Sequence, residues 1–172
     1  MDGIDWAASA MAAARTRLDI ATANLANVSS DGFHAVLARG KLTAHGVEIA
    51  RITAPDHGAY RHTGRATDFA IVGEGAFRVR AADGTIGTTR NGAFERDRRG
   101  VLRDCAGRAL IGTMLGPGAS VRSGFLETSD VNAIDEMVNV LTSQRAFESA
   151  EKVVAAIDGV RRKSSNDVAQ VK

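Results

Sequence analysis

The four histidines and the single cysteine of this chain, the residue types best suited to bind a transition metal or to act as a nucleophile, follow no known catalytic pattern. The histidines lack the His-x-x-x-His spacing of a zinc-binding helix and occur in loop-like stretches; they are His34, His45, His57 and His62. The single cysteine, Cys105, lies in a predicted turn without a histidine partner to activate its thiol. A zinc site needs three or four ligands held close together, and these spacings do not provide them, so we expect no metal ion. We also expect no cofactor and no reactive thiol.

Gly73-Glu74-Gly75 is the stretch closest to a phosphate-binding loop. A dinucleotide fingerprint needs another glycine three positions later and then a helix. Here that position is Arg78, and the surrounding residues alternate between apolar and charged, as in a strand. We interpret the glycines as a β-turn. The sequence also has no Walker A run and no Gly-x-Ser-x-Gly elbow, so we predict that the protein is not an enzyme.

The composition of the chain further limits the class of protein to which it can belong. The chain has 172 residues, of which 44% are apolar and 24% charged, enough for a folded core in one domain or slightly more. A net charge of +2 is too small to favour nucleic-acid binding. No apolar run approaches the roughly 18 residues of a membrane span, and no basic segment precedes an apolar one near the N-terminus. We therefore expect neither membrane insertion nor a cleaved signal peptide.

The first thirty residues carry a helical heptad pattern. Large apolar residues are seven apart at Ile4, Met11, Leu18 and Leu25, and Ala7, Ala14, Ala21 and Val28 follow each of them by three. This is the spacing of a coiled-coil seam, and we predict a helix over about 3–28 that stops at Ser29-Ser30-Asp31-Gly32. An ordinary amphipathic surface helix remains the alternative.

A second helical pattern occupies the last forty residues. Ser129, Asp130 and Asn132 are suitable N-caps. Apolar residues then recur at helical spacing: Met137, Val140, Leu141, Phe147, Ala150, Val154, Ile157 and Val160. We predict a helix over about 131–162 and expect it to pack against the N-terminal helix, since neither apolar stripe is covered by its own segment.

The middle of the chain is predicted to be β. Residues 33–67 suggest an extended linker with one or two weak strands, whereas 68–112 alternate regularly and turn every eight to ten residues. The predicted fold class is α+β: a discontinuous, coiled-coil-like two-helix domain from both termini and a small antiparallel β-rich centre. We divide it into an N-terminal helix (1–33), a linker with the β-rich domain (34–124) and a C-terminal helix (125–172). The arginine-rich stretch 90–108 is interpreted as a solvated mixed-charge face, or alternatively as a contact with an acidic neighbour.

Three motifs, in order, resemble those of bacterial flagellar basal-body rod and hook proteins. The first is Ala23-Asn24-Leu25-Ala26-Asn27 with Gly32-Phe33. The second, Thr63–Phe77, is similar to the family segment T-G-x-x-x-D-x-A-(I/L)-x-G-x-G-F-F, and Thr89–Phe94 continues it. The third comprises Gly124–Asn139 and Gln144–Glu148. The chain departs from the family pattern at Ala76, where a second aromatic is usual, and lacks the proline usual before Gly32.

The resemblance implies a structural subunit of the basal-body rod that assembles through its terminal helices into a torque-transmitting helical tube. It implies rod and hook-basal-body subunits as partners, export through the flagellar type III apparatus and a periplasmic location. The short connection between Gly112 and Gly124 suggests a proximal rod subunit, whereas the Thr63–Phe77 segment is more typical of the longer proximal and distal rod proteins, so the exact subunit stays open. The implied assembly interface is Met11, Leu18, Asn24, Leu25, Asn27, Met137, Leu141, Gln144, Phe147 and Val154. The alternative function is a small β-domain module, with a helical hairpin, that binds a peptide or glycan.

Overall fold

The computed structural model describes residues 3–44 and 46–170, so His45 lies outside the described residues. Within them, a helix near each end flanks a central antiparallel β-rich region, which confirms the predicted α+β class. Contacts divide the chain into two compact units. The helical unit contains both helices and a β-hairpin, and the β unit contains the remaining strands with residues 26–35.

The helical unit is formed from α1 (Gly3–Ala26), β1 (Val36–Thr43), β2 (Gly46–Thr53) and α2 (Ala133–Gln170). The start of α1 agrees with the prediction and its end comes two residues earlier than expected. Helix α2 continues past the predicted end near residue 162, where neither proline nor glycine interrupts the chain.

The hairpin of β1 and β2 is longer and more regular than the weak strands expected there. Its eight residue pairs run from Val36 opposite Thr53 to Thr43 opposite Gly46. It lies along α1, because the Ser9 hydroxyl oxygen accepts a hydrogen bond from the Val47 amide at 3.3 Å. Contacts therefore group the hairpin with the helices. The three-part division of the sequence stays a prediction, since such compact units need not coincide with folding domains.

Helices α1 and α2 run antiparallel to each other. The Asn24 amide near the end of α1 donates to Glu136 near the start of α2 at 2.9 Å. At the other end, a Cβ placed on Gly3 would lie 3.6 Å from Ile157 Cδ1. The same number of residues separates the two contacts on both helices, so the pair stays in register along the whole of α1.

The β unit contains nine short strands in the described part of the chain: β3 (Tyr60–His62), β4 (Phe69–Val72), β5 (Gly75–Arg80), β6 (Ile86–Thr89), β7 (Glu95–Arg96), β8 (Leu102–Arg103), β9 (Ala109–Leu115), β10 (Ser120–Ser123) and β11 (Phe125–Glu127). A five-stranded sheet has the order β6-β5-β9-β8-β7, and two-stranded ribbons pair β10 with β4 and β11 with β3. All of these pairings are antiparallel.

Alternation along β5 forms the main core of this unit. Phe77 and Val79 are buried while Arg78 and Arg80 are exposed. Phe77 meets Phe94 edge to face, with ring centroids 5.4 Å apart, and burial of each such side chain contributes about 1.5–3 kcal/mol. Arg78 thus lies on a strand, as predicted, and not in a phosphate-binding loop.

The segment after α1 is fixed to the β unit through Gly32. This glycine has a φ of 69°, and its amide donates to the Glu127 carbonyl oxygen at 2.7 Å. A side chain at Gly32 would collide with the backbone of Arg90 and Asn91. The family motif therefore requires glycine here both for its positive φ and for this close approach.

None of the described helices is long and apolar enough to cross a membrane.

Candidate assembly interface

The inner face of α1 is formed mainly by alanines, together with Ile20 and Asn24. Ala7, Ala14 and Ala21 of the predicted seam are buried. The larger seam residues are only half-buried; they are Met11, Leu18 and Leu25. Alanine allows another element to approach the helix axis closely, so the larger side chains are left at the margin of this face. Part of their apolar surface is thus uncovered in the lone chain.

Helix α2 divides the predicted interface residues between two faces. Its inner face recurs at alternating intervals of three and four residues: Ala133, Glu136, Val140, Ser143, Phe147, Ala150, Val154 and Ile157. Phe147 and Val154 are half-buried on that face. Met137, Leu141 and Gln144 are exposed.

An uncovered apolar surface, which we call the outer stripe, lies on the first two turns of α2. It consists of Ile134, Met137, Val138 and Leu141, whose exposed fractions are 72%, 53%, 53% and 56%. Their spacing of three and four places them on one side of the helix. A contiguous apolar group of this kind is typical of a protein interaction site.

A groove of about 480 Å³ lies beside the outer stripe, within the helical unit. Its walls come from Arg17 and Ile20 of α1, Leu37 of β1, and Asn139 and Thr142 of α2. Leu37 is 48% exposed. The groove thus offers a recess with mixed polar and apolar walls to an incoming side chain.

Asn24, a predicted interface residue, makes its side-chain hydrogen bonds within its own chain. Its amide nitrogen donates to the Val36 carbonyl and to Glu136, and its carbonyl oxygen accepts from the Val36 amide, each at 2.9 Å. The residue is completely buried. Asn27 is half-buried, and its side-chain oxygen Oδ1 accepts from the Ser30 hydroxyl at 3.1 Å. Asn24 therefore joins α1, β1 and α2.

Sequence reasoning did not foresee a buried ion pair between Arg90 and Glu127. The guanidinium donates to Glu127 Oε2 at 2.8 and 2.6 Å and to the carbonyl oxygens of Ile71, Gly73 and Gly75. For Arg90, the interpretation as a solvated residue is thus wrong, because these carbonyls and the carboxylate replace water. Both residues lie within the motifs that resemble the rod and hook family, and this membership was the one feature of the sequence that could have pointed to the pair.

The rest of the arginine-rich stretch is largely solvated. Arg103 pairs with Asp97 at 2.9 Å and Arg108 with Asp104 at 2.7 Å, each within a local turn. Three others are exposed: Arg96, Arg98 and Arg99. Hydrogen bonds from Arg103 and from the Val101 and Arg99 amides lower the pKa of Asp97.

Asp68 is a second buried carboxylate of the β unit. Arg65 donates to it from Nε and Nη2 at distances of 2.7 to 3.1 Å. Burial alone would raise the pKa of Asp68, but hydrogen bonds from Arg65 and Thr63 and the charges of Arg65 and Arg61 outweigh it, so the pKa is lowered. The ion pair fixes the chain just before β4.

Two histidines that the sequence placed in separate loops meet at Glu127. His34 Nε2 lies 3.1 Å and His57 Nδ1 3.6 Å from Glu127 Oε1. These three residues could hold a metal ion. Their separation along the chain concealed the cluster. His62 instead contacts the Phe125 ring edge to face, with centroids 4.8 Å apart.

Three family models match the chain. "Flagella basal body rod protein" matches residues 4–34, "Flagellar hook protein FlgE/F/G D1 domain" matches 70–141, and "Flagellar basal body rod FlgEFG protein C-terminal" matches 122–167. This chain belongs to the flagellar rod and hook family. The first and last models cover most of the two terminal helices, and the middle one covers the strands from β4 onward.

Curated relatives agree with this membership. This rod and hook family member is 34% identical to the flagellar hook protein FlgE of Salmonella typhimurium over 113 residues, which are 62% of this chain and 28% of the hook protein. It is 31% identical to FlgE of Brucella abortus over 138 residues, 74% and 34% of the two chains. With the flagellar basal-body rod protein FlgG of Agrobacterium fabrum it shares 22% identity over 92% of this chain and 96% of that protein.

The chain spans about a third or less of the hook proteins it matches. The comparisons confirm the family resemblance that the motifs indicated and do not favour the peptide- or glycan-binding alternative.

Proposed function

We propose that this protein is a structural axial subunit of the flagellar basal-body rod. The observation that carries the proposal is the outer stripe on α2, an apolar face left uncovered in the lone chain and located where the rod and hook C-terminal model matches. Family membership supplies the setting, because the matched relatives are named as hook and basal-body rod proteins.

The proposed mechanism is packing. The inner face of α2, including Phe147 and Val154, holds the helix pair of one subunit together. The outer stripe and the half-buried margin of α1, formed by Met11, Leu18 and Leu25, dock onto neighbouring copies, and Gln144 contributes a polar contact. Each large apolar side chain buried in this way contributes about 1.5–3 kcal/mol. When two different surface patches of neighbouring copies bind each other and the contact does not close into a ring, the copies form an open helical tube.

Asn24 and Asn27 act indirectly in this proposal. By fixing α1 against β1 and α2, Asn24 makes the helix pair rigid before assembly, which reduces the ordering entropy lost when neighbours bind. Asn27 supports the turn after α1. A rigid pair of helices is also suited to transmitting torque along the tube.

The position that we propose is the proximal rod. Between Leu115 at the end of β9 and Ser120 at the start of β10 the chain makes only a tight turn, so there is no room for an inserted domain there. The implied partners are other rod and hook-basal-body subunits and the flagellar export apparatus. We further propose a periplasmic location reached without a cleaved signal peptide, and a non-enzymatic role.

A charge in the outer stripe tests this function. We expect the Leu141→Glu variant to remain folded, with an unchanged thermal midpoint by circular dichroism, because Leu141 is exposed. In a strain lacking the wild-type copy, it should abolish motility and be absent from purified basal bodies. Ser149→Glu, which adds the same charge at an exposed polar position of α2, should be incorporated normally. Normal basal bodies containing Leu141→Glu would refute the proposal.

A further inference from the structure

We propose that His34, His57 and Glu127 form a binding site for a transition-metal dication of the zinc type. The three side chains belong to the β unit and come from separate segments: the stretch after α1, the connection between β2 and β3, and the end of β11. Their ligand atoms lie within 4.8 Å of one another. The site differs from the assembly surfaces described above, which lie on α1 and α2.

The distances suit a small ion. His34 Nε2 and His57 Nδ1 lie 3.1 and 3.6 Å from the same carboxylate oxygen, Glu127 Oε1. Two ligands at about 2.1 Å from a tetrahedral ion stand about 3.4 Å apart, which falls between these values. All three ligand atoms lie within 4.8 Å of one another, so the two imidazoles must move closer together for one zinc ion to bind both of them and to replace the hydrogen bond between His34 and Glu127.

Arg90 orients the Glu127 carboxylate for metal binding. Glu127 is completely buried, and Arg90 occupies its Oε2 with two hydrogen bonds while Oε1 remains directed at the histidines. Such outer contacts orient metal ligands and are a regular part of metal centres. Glu127 thus offers one oxygen in a fixed direction.

The donor set selects the kind of metal. Two imidazoles and one carboxylate suit zinc, copper, nickel or cobalt, whereas calcium and magnesium require mostly oxygen ligands. His57 is partly exposed, with 33% of its side chain accessible, so water can reach the ion and complete its coordination.

A bound ion would cross-link three segments around the small core of Ala35, Ala54 and Val131. His34 directly precedes Ala35, and Glu127 lies shortly before Val131, where the chain leaves β11 toward α2. Metal binding is therefore expected to stabilise the folded β unit, since an ion that binds the native state shifts the folding equilibrium towards it.

The test uses the full chain, untagged, with Cys105→Ser to remove the exposed thiol as a competing ligand. Isothermal titration with Zn²⁺ should show one ion per chain, and Zn²⁺ should raise the thermal midpoint while Mg²⁺ does not. His57→Asn should weaken zinc binding at least tenfold. The matched control, His62→Asn, removes a histidine of the same unit outside the cluster and should leave the affinity unchanged.

His57→Asn spares both the contact of His34 with Glu127 and the ion pair of Arg90, so the variant should fold. An independent measurement needs no variant: in NMR spectra, the His34 and His57 imidazole signals should shift on addition of Zn²⁺ while those of His62 stay in place. Absence of binding, equal affinity in His57→Asn, or shifts confined to His62 would overturn the proposal and leave the cluster as an ion pair of Glu127.

Discussion

Asn24 and Glu136 lie 112 residues apart in the chain, yet the Asn24 side-chain amide donates a hydrogen bond of 2.9 Å to the Glu136 carboxylate. Both side chains are buried. The same amide group is bonded to the backbone of Val36 on both its donor and its acceptor side. One side chain thereby fixes the end of α1, the start of β1 and the first turn of α2, so the two terminal helices meet through a polar contact as well as an apolar one.

Replacing Asn24 by leucine should destabilise the helical unit. The substitution would leave the Val36 amide, the Val36 carbonyl and Glu136 without this partner, and a buried polar group left unpaired costs about 1–3 kcal/mol. We expect the free energy of unfolding in urea to fall by at least that amount. Thr22→Leu, at an exposed position of the same helix, serves as the control and should change stability little. Equal stability of both variants would show that the Asn24 contacts do not matter.

Replacing Arg90 by methionine should destabilise the β unit strongly. The Glu127 carboxylate would remain buried without its cation, which costs about 3–5 kcal/mol. Chemical denaturation followed by circular dichroism measures the loss. Arg96→Met removes an exposed arginine nearby and should have little effect.

A double variant checks the cause of the Arg90 effect. Arg90→Met combined with Glu127→Leu removes both charges, and buried ion pairs replaced by apolar residues are often no less stable. We therefore expect the double variant to be more stable than Arg90→Met alone. If it is less stable, the uncompensated charge is not the main cause of the loss.

Asp68 should make stability depend on pH in the acidic range. Burial alone would raise its pKa in the folded state, but hydrogen bonds from Arg65 and Thr63 and the charges of Arg65 and Arg61 outweigh that effect and lower the pKa. Its contribution is therefore fully present above the unfolded pKa of about 3.9 and is lost as the pH falls through the lower folded pKa. Asp68→Asn should reduce stability at pH 7 and flatten the decline on acidification. Asp56→Asn, at an exposed position, should keep the wild-type slope, and a wild-type slope in Asp68→Asn would contradict the prediction.

Local patterns predicted much of the secondary structure. Helix α1 begins where its heptads begin and ends just before the predicted stop at Ser29–Gly32, and Phe77 and Val79 alternate with exposed arginines along a strand as predicted. These features depend on residues a few positions apart. The hairpin of β1 and β2 was underestimated because Gly40 and Gly46 interrupt its apolar pattern, while its regularity comes from strand pairing and from contact with α1.

The candidate assembly interface was likewise predicted in part from sequence motifs and in part decided by tertiary packing. The motifs identified the family and placed the predicted assembly residues on the terminal helices, but they did not show that Met137 and Leu141 face outward while Phe147 faces inward. Helical periodicity predicts that a helix has an apolar face. With apolar residues on two sides of α2, only the packing of α1 and the hairpin decides which side is covered.

By itself, the sequence determined the order and type of the main elements and the family to which the chain belongs, because both depend on residue patterns along short segments. Tertiary structure alone decided that Arg90 is largely withdrawn from solvent against Glu127 and that His34 and His57 meet at the same carboxylate. A charged or titratable side chain finds its partner through the path of the whole chain, and no spacing between neighbouring residues records that path.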